Sequence, residues 1–300
     1  MIVSVMITTR NRSADLRRTC RVLQQLNPPP TEVLITADGC TDETIEVVKA
    51  EVPQARLFVN DVGQGSVASR DHMMREAHGD LVLALDDDSY PEQTDWLARV
   101  IPLFESSPRL AVLHFPQRTD EHSDTLTQTD FEPEHPTGSF ANSGAVLRRS
   151  VYLQLPGFEP RFFHMYEEPD YALQCVAEGF EVRFSPAVSI RHHYSGHARS
   201  ELRNHHRHAR NEQWSIWLRC PWPWWPLMSI RRAVGQFVYA IKRGPSWVVR
   251  EPLWWWRALR GIRPIWRQRR PVAWRAYRRW LHLLRQPEPV ASMAPTTNNQ

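Results

Sequence analysis

The chain has 300 residues, 42% of them hydrophobic, which suits one large domain or one domain with an appendage. Its four cysteines are scattered without a Cys-x-x-Cys pair, which argues against a zinc ribbon or a disulfide framework and fits a reducing compartment. No apolar run approaches the ~18 residues of a membrane span, and the first residues lack the basic segment of a signal peptide, so neither feature is expected.

The net charge of +4 hides a division of the chain. Residues 1–198 contain 17 Lys and Arg against 29 Asp and Glu, whereas residues 199–285 contain 20 against 3. Twelve of the 13 tryptophans follow residue 213. We therefore predict an acidic body over residues 1–198, a basic, Trp-rich helical region over residues 199–286 and a disordered tail over residues 287–300. The asymmetry indicates a negatively charged surface as the partner of the basic region.

The first part of the chain alternates predicted strands and helices. Buried strands are predicted over residues 2–8, 32–37 and 56–59. Helices are predicted over residues 13–26, from Thr41 or Asp42 to residue 51, and from Gly65 to residue 77. Three successive strand–helix units predict an α/β fold with a parallel, doubly wound sheet.

The next strand runs into three adjacent carboxylates. Residues 81–85 are apolar, which is typical of a strand buried on both faces, and Asp86, Asp87 and Asp88 follow directly. At the carboxyl end of such a strand these acids would lie where open α/β sheets bind ligands. A divalent cation would relieve their mutual repulsion and also hold phosphates of a substrate. The alternative is a solvated acidic turn.

The following segment contains one predicted mobile loop. A helix over residues 91–104 and a strand over residues 110–115 precede the polar residues 117–138, which are too long for a simple connection and are predicted to cover the site as a mobile loop. Residues 140–147 have strand character. A helix is predicted to begin at Glu167, and short strands over residues 181–184 and 188–190 lead to His192 and His193.

The order of these features resembles the inverting nucleotide-sugar glycosyltransferases of family 2, which have the GT-A fold. The resemblance rests on residues 3–12, Ala37-Asp38-Gly39, Arg70, Leu85-Asp86-Asp87-Asp88, Asn142-Ser143-Gly144, Gly157-Phe158-Glu159, Glu167-Glu168-Pro169-Asp170 and His192. It covers residues 1–195 and is nearest to the rhamnosyl- and galactofuranosyl-type members that build bacterial surface polysaccharides. It implies a Rossmann-like, mostly parallel central sheet with helices on both faces, here followed by a helical, Trp- and Arg-rich C-terminal extension.

The resemblance implies a nucleotide-sugar site at the carboxyl ends of the strands. Thr8 and Arg10 would line the nucleoside pocket, and Asp38 would accept a hydrogen bond from the imide N–H of uracil or thymine. Arg70 would face a phosphate or the first carboxylates, unless it is only a helix-surface arginine. Asp86 and Asp87 would contact ribose or hold Arg70.

The resemblance also implies a metal site. Asp88 would ligate a divalent cation together with Asp86, and His192 would complete the protein ligands. Carboxylate, imidazole and phosphate oxygen ligands suit Mn²⁺ or Mg²⁺. His193 is the second choice because neighbouring residues of a strand point to opposite faces. The alternative for both is a surface histidine pair.

Inversion at the anomeric carbon requires a general base, which in this family is the second acid of a pair at a helix start. The pair here is Glu167 and Glu168, and we predict Glu168 as the base, although family members more often have aspartate there. The helix dipole is expected to lower the pKa of Glu168. The alternative is that both acids only cap the helix.

The last predicted helix is basic and amphipathic. Over residues 272–285, Trp274, Tyr277 and Trp280 fall on one side, while Arg275 and Arg278 fall on the other. We predict that residues 214–285 bind an anionic membrane surface at its headgroup level. The alternative is a subdomain packed on the body or on a dimer partner. Nucleic acid is a third possible partner, but nothing else in the chain supports it.

Two functional hypotheses result. The first is a metal-dependent inverting glycosyltransferase, cytoplasmic and peripheral on the inner face of the cell membrane. It would move a sugar from a UDP- or dTDP-sugar to a lipid-linked or polysaccharide acceptor in cell-envelope glycan synthesis. The second is a catalytically idle GT-A domain that acts as a membrane-recruited scaffold. The full set of Asp86, Asp88, Glu168 and His192 favours the enzyme.

Overall fold

The structure, a computed structural model, describes residues 1–193 and 200–285. The strands, in chain order, are β1 (Val3–Thr9), β2 (Glu32–Asp38), β3 (Arg56–Asn60), β4 (Leu81–Asp86), β5 (Ser89–Pro91), β6 (Leu110–His114), β7 (Gln117–Thr119), β8 (His135–Pro136), β9 (Ala145–Arg148), β10 (Glu181–Phe184) and β11 (Ile190–His192). The helices are α1 (Ser13–Leu23), α2 (Thr44–Glu51), α3 (Ser66–Glu76), α4 (Trp96–Ser106), α5 (Arg149–Gln154), α6 (Glu167–Ala177), α7 (Glu201–Arg219), α8 (Trp224–Arg243), α9 (Pro245–Val248), α10 (Pro252–Arg260), α11 (Ile262–Arg267) and α12 (Trp274–Leu283).

The central sheet has eight strands in the order β3-β2-β1-β4-β9-β6-β10-β8. The pairs β1–β2, β2–β3, β1–β4 and β6–β10 are parallel, whereas β9 runs antiparallel to β4 and β6, and β8 runs antiparallel to β10. The predicted α/β class and the three opening strand–helix units are confirmed. The sheet is mixed rather than wholly parallel because β9 enters between β4 and β6. The strand predicted over residues 140–147 is limited to Ala145–Arg148.

Strand β4 lies in the middle of this sheet. Its residues 81–85 are all buried, as expected for a strand covered on both faces. In the parallel pairing of β1 with β4, Thr8 lies opposite Asp86, so the two strands end side by side. The residues that follow β1 and β4 therefore lie next to each other at one edge of the sheet.

A second, three-stranded sheet contains the start of residues 117–138, the segment that was predicted as a mobile loop. Its strand order is β5-β11-β7, with β11 antiparallel to β5 and parallel to β7. The segment also contains a 3₁₀ turn (Ser123–Thr127) and ends in β8. Strand pairing therefore holds the two ends of the segment, whereas its middle is a loop that contains the 3₁₀ turn, and its mobility over the site stays a prediction.

Two hydrophobic cores lie on opposite faces of the central sheet, because successive strand residues point to opposite sides. The core that includes Val82 and Ala84 extends into the C-terminal helices, where Trp214, Trp254 and Trp280 are buried in it. The C-terminal helices are therefore packed on the body as part of one hydrophobic cluster. Both the predicted boundary at residue 198 and the predicted disordered tail lie outside the described residues.

Helix α12 forms as predicted, but its apolar face does not face a membrane. Tyr277, Trp280 and Leu283 are buried, and α12 packs against α6. The indole Nε1 of Trp280 donates a hydrogen bond of 2.8 Å to the carbonyl of Gly138. Of the two tryptophans that looked like membrane anchors in this helix, Trp280 is a core residue and Trp274 is half-buried against the same hydrophobic cluster. Within the described residues, no helix is both long and apolar enough to cross a membrane.

Candidate active site

A cavity of about 590 Å³ opens at the carboxyl ends of β1, β2 and β4. Its walls include Thr8 near the end of β1 and Arg10 just after that strand, together with Asp38 at the end of β2 and Asp86 at the end of β4. Parallel strands bring these residues together although they are far apart in the chain. The cavity is the place where ligands bind in open α/β sheets.

Asp86, Asp88 and His192 converge beside this cavity. Each offers one ligand atom, and these atoms lie within 4.8 Å of one another. The pairing of β11 with β5 sets His192 opposite Ser89, and the Nε2 atom of His192 lies 3.2 Å from Oδ1 of Asp88. His193 points elsewhere, since its Nε2 lies 2.8 Å from the hydroxyl of Tyr90. The structure therefore brings together the three residues predicted as metal ligands.

The three groups suit a divalent cation. Asp88 is fully buried, and its Oδ2 oxygen accepts a hydrogen bond of 2.6 Å from Nη1 of Arg12. Its other oxygen, Oδ1, is buried and faces His192 and Asp86. A buried carboxylate and an imidazole, completed by substrate oxygens, match the preferences of Mn²⁺ and Mg²⁺.

Asp87 does not hold Arg70, one of the two roles expected for it. It is buried, and its carboxylate accepts hydrogen bonds from Thr9 Oγ1 at 2.8 Å and Arg12 Nη1 at 2.9 Å. Burial raises the pKa of Asp87 to about 7, although Arg12 opposes the shift. Arg12, which the sequence did not single out, thus links Asp87 to Asp88. The parallel register of β1 and β4 was the signal that could have revealed it.

Arg70 connects the acidic cluster to helix α6. It is buried, its Nη1 donates to Glu167 Oε1 at 2.9 Å, and its Nη2 contacts Asp86 Oδ1. Asn142 donates a further hydrogen bond of 3.3 Å to the same oxygen of Glu167. Glu167 is therefore tied into the scaffold by two neighbours.

Glu168 has a different environment from Glu167. Within the described residues it forms no ion pair, and burial together with the charge of Glu167 raises its pKa to about 8. The expected lowering by the helix dipole is thus overturned, because desolvation of the carboxylate outweighs the partial charges at the start of α6. A carboxylate with a raised pKa is suited to accept a proton.

The nucleoside wall is organised by Asp38. Its Oδ1 accepts from Asn60 Nδ2 and from the backbone N–H of Gln64, and its Oδ2 accepts from the N–H of Gly65, each at 2.8 Å. Gly65 has φ of +93°, and a Cβ there would lie 2.1 Å from the carbonyl oxygen of Phe163. Asp38 therefore holds a turn that only glycine can complete.

The loop before α6 has an unusual backbone held by α7. Phe163, Met165 and Tyr166 have φ values of 66°, 74° and 74°, which cost of order 1–3 kcal/mol each. The side-chain nitrogen of the fully buried Asn211 lies 2.7–3.0 Å from the carbonyl oxygens of residues 162, 164 and 165. Arg210 donates two hydrogen bonds to Oδ1 of Asn211 and fixes the amide in place. A residue of the C-terminal region therefore shapes the approach to Glu167 and Glu168.

Comparison with known proteins agrees with this geometry. A family model described as "Glycosyl transferase family 2" matches residues 4–167, which is more than half of the chain. The chain is a family 2 glycosyltransferase. This glycosyltransferase is similar to YwdF of Bacillus subtilis (strain 168), an uncharacterized glycosyltransferase, with 24% identity over 208 residues that cover 65% of this chain and 75% of the relative. It is also 26% identical to the O-antigen biosynthesis protein RfbC of Myxococcus xanthus over 227 residues, which cover 66% of this chain but only 18% of that protein.

Solved structures confirm the GT-A fold of this glycosyltransferase. The mannosyltransferase PcManGT from Pyrobaculum calidifontis, solved with GDP-Man and Mn²⁺, gives a TM-score of 0.57 at 17% identity and covers 94% of this chain and 85% of its own. S. aureus TarS 1–349 with UDP gives 0.53 at 16% identity, covering 93% and 92%. GalNAc-T7 with UDP, GalNAc and Mn²⁺ gives 0.60 at 13% identity, covering 75% of this chain and 49% of that chain.

The family match ends at Glu167, so several cavity residues of the glycosyltransferase lie beyond it. His192 was predicted, but Arg203, Asn204 and Arg207 of α7 also line the cavity and were missed. The guanidinium of Arg207 lies 5.1 Å from the centre of the Phe163 ring. The sequence did not indicate that α7 lies at the cavity, because its basic residues could not be distinguished from those of the rest of the basic region.

Proposed function

We propose that this glycosyltransferase is metal-dependent and inverting, and that it moves a sugar from a UDP- or dTDP-sugar to a hydroxyl of a lipid-linked or polysaccharide acceptor. The observation that carries the proposal is the convergence of Asp86, Asp88 and His192 at a cavity that is also lined by residues 163–165, in the loop before Glu168. We further propose that it works in cell-envelope glycan synthesis, in the cytoplasm and peripherally on the inner face of the membrane. The O-antigen biosynthesis name of one relative supports the envelope role.

The donor would lie along the carboxyl ends of the strands. Thr8 and Arg10 would line the nucleoside pocket. The carboxylate of Asp38 would accept a hydrogen bond from the imide N–H of uracil or thymine. The guanidinium groups of Arg203 and Arg207 lie on the same cavity wall and would balance the charge of the diphosphate.

Asp88, His192 and Asp86 would hold a divalent cation, Mn²⁺ or Mg²⁺, at the diphosphate. When bound, the ion supplies Lewis-acid stabilisation of the negative charge on the leaving group. Arg12 contributes positive charge at Asp87 and Asp88, which keeps the acidic cluster from repelling the phosphates.

Glu168 would act as the general base. It takes the proton of the acceptor hydroxyl while the acceptor oxygen forms a bond to the anomeric carbon from the side opposite the diphosphate. The bond between that carbon and the diphosphate oxygen breaks, and its electron pair leaves with the nucleoside diphosphate, so the configuration inverts. Glu167 is a positioning residue, since Arg70 and Asn142 hold it at the start of α6.

Nucleotide binding tests the donor proposal directly. We expect calorimetric titration with UDP, dTDP and GDP to show binding of UDP or dTDP that requires Mn²⁺ and falls at least ~10-fold in Asp88→Ala. His193→Ala is the matched control, because this neighbouring histidine faces Tyr90 and should leave binding unchanged. If none of the three nucleotides binds with Mn²⁺ present, the donor site is refuted and the scaffold role gains support.

A further inference from the structure

Helix α8 has two apolar faces. Met228 and Ala240 are buried on the side that packs against α7. The opposite side is also apolar and exposed, at intervals of three or four residues that fall on one stripe of a helix. The stripe consists of Leu227, Ile230, Val234, Phe237, Val238 and Ile241. An amphipathic helix on the surface of a protein normally turns such a stripe inward, so this second stripe needs a partner.

The next helices repeat the arrangement. In α10, Trp254 and Ala258 are buried on the side that packs against α7, while Leu253, Trp256 and Leu259 are exposed. The side chain of Trp256 is 61% exposed and that of Ile230 in α8 is 64% exposed. Large apolar patches of this kind on a protein surface mark interaction sites. Both helices pack on α7, and we call their exposed stripes together the outer apolar surface.

Basic residues border the outer apolar surface. Arg231 and Lys242 lie beside the α8 stripe, and Arg257 and Arg260 lie on α10. All four are exposed, and none of them forms an ion pair within the part of the chain that the structure describes. The surface therefore combines exposed Trp, Leu and Ile with uncompensated positive charge.

We propose that the outer apolar surface docks on an anionic lipid bilayer. Apolar side chains would enter the boundary between headgroups and acyl chains, tryptophan would lie at the headgroup level, and the basic border would meet lipid phosphates. The inference deepens the proposed function, on which it rests for its purpose, by naming the surface that brings the cavity to a lipid-linked acceptor.

The charge pattern favours lipid over a second copy of the chain. A two-fold contact would set the same patch of each copy against the other and bring the basic borders together, where they repel. An anionic leaflet offers the opposite charge along the whole border. Within residues 214–285, for which the sequence predicted membrane binding, the proposal therefore places the contact on α8 and α10 and not on α12, whose apolar face is already covered.

Vesicle binding by the full chain tests the proposal without any need for turnover. We expect cosedimentation with vesicles of phosphatidylglycerol and phosphatidylcholine, and much weaker cosedimentation with phosphatidylcholine alone. Arg231→Gln and Lys242→Gln should each weaken binding ~5-fold, and added salt should weaken it further. Ile230→Gln should weaken it by at least ~5-fold.

Two control variants make the test specific. Val62→Gln changes a side chain on the body that is 78% exposed, and Arg278→Gln removes a charge from the exposed side of α12. Both should bind vesicles within ~2-fold of the unchanged protein. Because all these positions are exposed, the midpoint of thermal unfolding should be the same in the variants and in the unchanged protein. UDP binding with Mn²⁺ is measured on the same samples.

Each outcome decides one question. Equal binding of the Ile230→Gln variant and the unchanged protein overturns the docking surface, as does equal binding to neutral and anionic vesicles. A lipid-free dimer in sedimentation velocity that becomes monomeric in Ile230→Gln assigns the surface to a second copy instead. If the unchanged protein binds vesicles but does not bind UDP, the proposed donor site is refuted and the vesicle result stays valid.

Discussion

At the scale of single residues, the two acids at the start of α6 have different environments. Glu167 is buried and held by Arg70 and Asn142, whereas Glu168 has a raised pKa and no ion pair within residues 1–193 and 200–285. The sequence showed a pair of glutamates and could not distinguish them, because their difference lies in neighbours more than 20 residues away. The choice of Glu168 as the base now rests on its environment.

We predict that the pH dependence of turnover follows Glu168. The base must be ionised, so kcat/KM should rise with pH and approach its plateau above about 8. Glu168→Gln should lose at least ~100-fold in kcat while nucleotide affinity changes little. Steady-state rates across pH 5–9 and calorimetry on both proteins check this. A variant that keeps its turnover would assign the base to Glu167.

The same raised pKa has a consequence for stability. The folded state holds the Glu168 proton more tightly than the unfolded chain, so the free energy of unfolding contributed by this group falls as pH rises from about 4.5 to about 8. Glu168→Gln removes this pH-dependent loss of stability, because glutamine does not ionise. In metal-free protein, urea unfolding should therefore show the variant gaining stability relative to the unchanged protein between pH 5 and pH 8.

At the scale of elements, the turn before α3 and the loop before α6 fit each other closely. Gly65 and Gly179 both have positive φ, but only at Gly65 would a Cβ meet other atoms within 4 Å. We predict that Gly179→Ala costs ~1–2 kcal/mol of backbone strain and leaves kcat unchanged. Gly65→Ala should cost more and also lower kcat, since Phe163 and the loop before Glu167 must move. Urea unfolding and steady-state rates measure both effects. Equal losses in the two variants would contradict the contact.

Elements with a strong local pattern were predictable from sequence, and their partners were not. The apolar run of β4 and the amphipathic period of α12 specified a strand and a helix in the right places. The period of α12 also identified its apolar face, but periodicity does not say whether protein or lipid covers that face. Asn211 carried no local signal at all, because its three hydrogen-bond partners lie 46–49 residues earlier in the chain.

At the scale of the whole molecule, a buried polar network joins the body to the C-terminal helices. Asp170 of α6 pairs with Arg219 of α7 at 3.1 Å and accepts a hydrogen bond from Ser215 at 2.7 Å. Gln174 donates to the other oxygen of Asp170 at 2.8 Å. Composition suggested a division into two parts, yet these contacts join the two parts through buried polar groups.

We predict that breaking this network destabilises the entire protein. Arg219→Met leaves the Asp170 carboxylate buried without an opposite charge, which should lower the free energy of unfolding by ~3–5 kcal/mol. Arg243→Met is the matched control, because the partner Glu201 is largely exposed and the pair should contribute no more than ~1 kcal/mol. Urea unfolding followed by fluorescence and circular dichroism should give coincident single transitions. Two separated transitions would show that the C-terminal helices unfold independently.

The hold of Asn211 on the loop before α6 has a consequence for the timing of biosynthesis. Translation makes the donor sheet and both glutamates of α6 before it makes α7, and chains begin to fold from the N-terminal side during synthesis. A nascent chain that has emerged only as far as β11 therefore contains the proposed metal ligands and both glutamates, but it lacks Asn211, which holds the loop before α6, and the cavity residues of α7. We therefore expect the ability to transfer the sugar to arise only after α7 has emerged from the ribosome and packed against this loop.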